Sequence, residues 1–146
     1  MIEPLRLSFD VACPPERAFV LWTERISTWW PADHTASGED DVTIVLEPGV
    51  GGRVFERRRD GEEIAWGEVT LWEPPRRLGY LWHLRADRAD ATDVEIAFVG
   101  RPDGSTRVEV EHRCWERIGE GGEAWRTRNE RAWSTLIPHY EEAARA

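Results

Sequence analysis

The chain has 146 residues and a formal charge of −9, enough length for one domain with a real core and the wrong sign for nucleic acid or an anionic membrane as partner. Its 19 basic residues are all arginine, and its two cysteines, Cys13 and Cys114, stand far apart outside any C-x-x-C pattern, which argues against a disulfide scaffold or a zinc site. No stretch resembles a secretory leader or a membrane span, so the expected location is the cytoplasm.

Leu5, Leu7, Phe9 and Val11 alternate with polar residues and predict a first strand, which Pro14 and Pro15 end. Pro15, Glu16 and Arg17 open a short helix with Ala18, Phe19, Leu21 and Trp22 on its apolar face. A second brief helix or turn spans Glu24 to Trp29, and of the adjacent Trp29 and Trp30 one is expected to pack inward. Strands follow at 42–46, from Val54, at 64–72, at 78–84, at 94–98 and at 108–112, punctuated by a Pro-Gly turn at 47–52, an arginine-rich tip at 57–61, Pro74-Pro75 and the hairpin signal Arg101-Pro102-Asp103-Gly104. Arg57, Arg58 and Arg59 lie beside Asp60, Glu62 and Glu63 and read as a solvated hairpin tip, not a phosphate site.

From Gly121 to Arg145 the apolar residues recur in steps of three and four: Trp125, Ala132, Trp133, Leu136, Ile137, Tyr140 and Ala144, with Asn129 as a polar member of the stripe. This predicts one long helix, bent near Ser134 to Pro138 because proline removes a rung of the hydrogen-bond ladder. The fold class is α+β: a seven-stranded curved antiparallel sheet gripping the long C-terminal helix, with two short helices between strands 1 and 2.

The order of elements and several motifs together resemble the START-like, or SRPBCC, helix-grip superfamily, in the branch of the heat-shock-protein-ninety ATPase activator homologues. The carriers are Val11-Ala12-Cys13-Pro14-Pro15-Glu16-Arg17-Ala18-Phe19, Trp29-Trp30-Pro31, Glu47-Pro48-Gly49-Val50-Gly51-Gly52-Arg53, Trp66-Gly67-Glu68-Val69, Glu73-Pro74-Pro75-Arg76-Arg77-Leu78, Tyr80-Leu81-Trp82, Val110-Glu111-His112 and Ala132-Trp133. The resemblance spans residues 1–146 as one domain and implies an apolar cavity between sheet and helix. It implies no single chemistry, because members carry lipids, bind hormones, cyclise polyketides or bind protein partners.

Strand parity turns Tyr80, Trp82, Val94, Ile96, Phe98, Val110, His112 and Cys114 toward the helix, opposite Trp125, Asn129, Trp133 and Leu136. These twelve residues are the expected pocket lining for a small apolar or aromatic molecule. Nine tryptophans suit both a core and the walls of such a pocket, core packing being the blander use. His112 is then a ligand contact or a structural histidine, and a Cys114–His112 catalytic pair lacks a third group. Asn129 is either hydrogen-bonded inward or at the helix edge in water. Glu56 and Glu68 remain unassigned to either face. No cofactor or metal is expected, since His34, His83 and His139 show no ligand spacing. The alternatives are a cyclase-like or hydrolytic enzyme using the same pocket, and a chaperone-accessory module with a filled core. Apolar surface at Trp29 or Trp115 would mark a homodimer contact.

Overall fold

The computed structural model describes residues 2–84 and 86–146. Seven strands form one antiparallel sheet in the order β1-β7-β6-β5-β4-β3-β2. They are β1 (Leu5–Val11), β2 (Thr43–Leu46), β3 (Arg53–Arg57), β4 (Glu63–Glu73), β5 (Arg77–Trp82), β6 (Thr92–Gly100) and β7 (Thr106–Arg113). Strands β2 to β7 meander through short turns, and β1 returns to pair with β7, with Leu5 opposite His112 and Val11 opposite Thr106. Helix α1 (Pro15–Trp22) and two 3₁₀ turns, Ile26–Thr28 and Ala32–His34, carry the chain from β1 to β2 on the far edge. Alternation along β6 and β7 is strict: Val94, Ile96, Phe98, Val108, Val110 and His112 are all buried while their neighbours reach solvent.

Helix α2 (Gly122–Arg145) covers the concave face. Its buried residues Trp133, Leu136, Tyr140 and Ala144 follow the three-and-four spacing of the stripe. The helix runs uninterrupted through Pro138. Its C-terminal half is fastened from outside the ladder, which offsets the missing rung: Tyr140 Oη donates to the Ala18 carbonyl at 2.6 Å, and Arg17 donates to the carbonyls of Ala143 and Ala146.

Two expectations change here. Trp29 and Trp115 are buried, not exposed, so neither marks a dimer contact: the Trp29 indole donates to the Leu21 carbonyl and that of Trp115 to the His112 carbonyl. Cys114 does not continue the inward parity of β7. The strand ends at Arg113, Cys114 takes a left-handed backbone (φ 73°), and its thiol meets Asp93 Oδ2 at 3.6 Å, a residue of the opposite parity to the buried positions of β6.

The arginine tip is fully engaged. Arg57 pairs with Glu63, Arg58 with Glu39 and Arg59 with Asp41. No helix among the described residues is long and apolar enough to cross a membrane.

Candidate functional site

The sheet and α2 diverge next to the end of β5, and the gap between them is walled by aromatics. Gly67 on β4 pairs with Trp82 on β5, and a Cβ at Gly67 would fall 1.8 Å from the Leu81 carbonyl oxygen. This close approach brings the Trp66 and Trp82 rings to 5.6 Å, and Trp30 closes a triangle with them at 5.3 Å from Trp66 and 5.8 Å from Trp82. The Trp30 indole is held by its N–H on the His34 carbonyl at 3.0 Å.

Behind this wall lies a chamber of about 60 Å³. Tyr80, Trp82 and Leu84 form its sheet side, Asn129, Ala132, Trp133 and Leu136 its helix side, and Trp30 and His34 border it from the loop between α1 and β2. An outer vestibule of about 290 Å³ continues from it, sharing His34, Trp82, Leu84, Asn129 and Ala132. Trp125, Arg128, Arg131, Thr135 and Asp33 complete the vestibule, where the Arg128 guanidinium lies 4.9 Å from the Trp125 ring centroid.

The expected lining is thus brought together in part. Tyr80, Trp82, Asn129, Trp133 and Leu136 border the chamber and Trp125 the vestibule. Val94, Ile96, Phe98 and Val110 belong to the closed core beneath. Cys114 stands apart with Asp93. His112 is fully buried behind Trp133, outside the chamber. Trp133 Nε1 donates to His112 Nδ1 at 3.1 Å, so the ring's proton is on Nε2, which donates to Thr92 Oγ1 at 2.6 Å. Thr92 in turn donates to the Trp82 carbonyl at 3.3 Å. Burial without a charged partner lowers the His112 pKa from 6.5 to about 3, so it is neutral. With both nitrogens occupied it is no general base here. It fixes the indole that lines the chamber.

Asn129 is half-buried at the shared border of chamber and vestibule, its Nδ2 donating to the Trp125 carbonyl one turn back at 2.9 Å. Glu56, unassigned from sequence, is fully buried and accepts from Trp66 Nε1 at 2.9 Å, the amides of Ala36 and Ser37, and the Ser37 hydroxyl at 2.7 Å. It anchors the loop that carries His34. Glu68 faces out, 3.6 Å from Arg88.

Trp30, His34, Leu84 and Ala132 were not among the expected lining. Leu84 continues the β5 alternation of Tyr80 and Trp82, and Ala132 lies on the helix stripe, so both carried a signal. Trp30 and His34 are placed by a loop without periodicity. Among the described residues no group of three or more His, Cys, Asp or Glu side chains is arranged to hold a metal.

A sheet curved around its C-terminal helix, with an aromatic chamber where they part, defines a START-like helix-grip domain. The chain belongs to the family described as activator of Hsp90 ATPase homolog 1-like protein, whose model matches residues 12–138. Among solved structures it is similar to an anthrahydroquino-γ-pyrone synthase, Txn09, complexed with SUM, at 36% identity over 84% of each chain and a TM-score of 0.62. An Hsp90 activator from Plasmodium falciparum, PFC0360w, shares the fold at 20% identity over 96% of this chain and 94% of that one, TM-score 0.64. DynU16, a putative protein in the dynemicin biosynthetic locus, aligns at 17% identity and TM-score 0.69 over 97% of this chain and 47% of its own. No curated protein sequence matches.

Proposed function

We propose that this domain binds a small, flat, mainly aromatic molecule in the chamber and vestibule between β5 and α2. The observation that carries the reading is the wall of indoles, Trp30, Trp82 and Trp133, around space left open in an otherwise closed core. Aromatic walls with few polar groups select planar apolar ligands. The chamber admits the leading edge of such a molecule, and the vestibule takes the rest.

Native mass spectrometry of protein purified from its own source, followed by the denatured mass, tests the reading. An aromatic compound released on unfolding supports it. A clean apo mass, with no change in tryptophan fluorescence on titration with polycyclic aromatics, overturns it.

The likeness to Txn09 at 36% identity favours a second reading, in which the bound molecule is also transformed by a cyclase-like reaction. In that case the pocket contributes by holding one folded conformer of the substrate with water excluded, which brings reacting atoms together without a covalent protein intermediate. His112 takes no proton in this scheme, since both its nitrogens are engaged. Turnover of an uncyclised aromatic precursor that disappears when the chamber is blocked would support it, and binding without turnover would leave the carrier reading.

A further inference from the structure

The chamber's polar groups define which aromatic it takes, given the reading of it as a ligand pocket. Most of its donors are already used. Trp30 Nε1 serves the His34 carbonyl, Trp133 Nε1 serves His112, and Asn129 Nδ2 serves the Trp125 carbonyl. Trp82 is half-buried, and its indole N–H is not a buried donor left without a partner. Tyr80 differs. It is 2% exposed, and its hydroxyl oxygen receives the Trp22 Nε1 proton at 3.3 Å. No group among the described residues accepts the hydroxyl's own proton.

That proton stays on the oxygen. Burial raises the phenol well above its ordinary range, and the Trp22 bond lowers it only in part. Tyr80 is therefore a fixed donor in a dry, apolar place, with its oxygen already satisfied by Trp22. A buried donor without an acceptor is unfavourable, so such a site discriminates strongly between ligands that do and do not supply one. A ligand hydroxyl would meet the phenol less well than a carbonyl, because the phenol's accepting side is taken by Trp22.

We propose that the chamber takes an aromatic ketone or quinone, its carbonyl oxygen accepting the Tyr80 hydroxyl proton while its rings lie between the indoles of Trp82 and Trp133. Tyr80 is then the specificity-determining residue of the pocket. The shape is set by the tryptophans and the chemical class by one phenol.

The matched probes are 9-fluorenone and fluorene, alike in size and flatness and different in the carbonyl. Calorimetric titration of the wild type should show fluorenone binding at least about tenfold tighter, the effect of one hydrogen bond made or left unmade in a dry site. The infrared carbonyl band of bound fluorenone should move to lower wavenumber relative to its position in an apolar solvent. In Tyr80→Phe the preference for fluorenone over fluorene and the band shift should both vanish. The wild-type ratio and band position need no variant, so a poorly folding Tyr80→Phe protein does not remove the test. Equal affinities with an unshifted band would overturn this inference and leave the pocket reading standing. Binding of neither compound would overturn both.

Discussion

Trp133 on α2 and His112 on β7 are joined by a 3.1 Å hydrogen bond from the indole N–H to Nδ1, and this bond decides what the histidine can do. It requires a neutral ring, because a protonated Nδ1 would face the indole proton with one of its own. Burial enforces the same state, holding the pKa at about 3 against 6.5 when unfolded. Between those values the unfolded chain binds the proton and the folded one does not. Folding stability contributed here is complete above about pH 6.5 and falls as the pH drops toward 3, by up to about 1.4 kcal/mol per pH unit. Denaturant unfolding at steps from pH 7 to pH 4 should show this slope. His112→Gln should lose the one-proton share of it and be less stable at pH 7 by about 2–4 kcal/mol, with Trp133 and Thr92 left poorly partnered. An unchanged slope in the variant would show that His112 titrates normally in the fold.

Glu56 makes the second prediction. Its fully buried carboxylate takes four donors from Trp66, Ala36 and Ser37. Glu56→Gln keeps the volume but turns an NH₂ toward donors, so at least one bond becomes a donor–donor contact. The expected loss is about 1–3 kcal/mol. Hydrogen exchange at the Ala36 and Ser37 amides should accelerate more than exchange in β6 and β7, because the loop is released before the sheet. Uniform acceleration across the chain would instead make Glu56 a general core group.

The fold was legible because its signals are periodic. Period-two alternation marked β1, β2, β5, β6 and β7, turn residues bounded β3 and β4, whose burial does not alternate strictly, and the step of three and four gave α2 with the large residues that it buries. The lining of the candidate chamber was legible only where it lies on those elements, as at Tyr80, Trp82, Trp133 and Leu136. Trp30 and His34 come from the loop after α1, where the Glu56 clamp and an indole-to-carbonyl bond decide position, and such long-range bonds leave no pattern in sequence. Parity failed at Cys114 because one left-handed residue ends the alternation. It succeeded for His112 in direction and missed that Trp133 stands in front.

Cys114 gives a third prediction. Burial raises its thiol pKa, the Asp93 carboxylate adds to the effect, and Arg117 opposes it. Cys13 is raised chiefly by burial and is more enclosed. Both thiols should therefore alkylate slowly at pH 7, with Cys114 ahead of Cys13, and the rate should climb with pH. Protein modified at Cys114 alone should bind fluorenone as the unmodified protein does, since the thiol faces Asp93 and not the chamber. Loss of binding on that modification would bring Cys114 back into the site.

Ala132 gives the decisive test of where the ligand sits. It borders both the chamber and the vestibule, so its methyl group marks the passage between them. Ala132→Trp should fill that passage with an indole entering open space, not displacing packed atoms, and helix propensity changes by under about 1 kcal/mol. The thermal midpoint should shift by only a few degrees while fluorenone affinity falls at least about tenfold, a separation that thermal melts and calorimetry on one sample can show. Trp133→Ala cannot make this separation. It would open a cavity, strip His112 of its donor and lower stability by about 3–5 kcal/mol, so lost binding would be indistinguishable from a loosened core. Unchanged affinity in Ala132→Trp, with the fold intact, would place the bound molecule somewhere other than the space between β5 and α2.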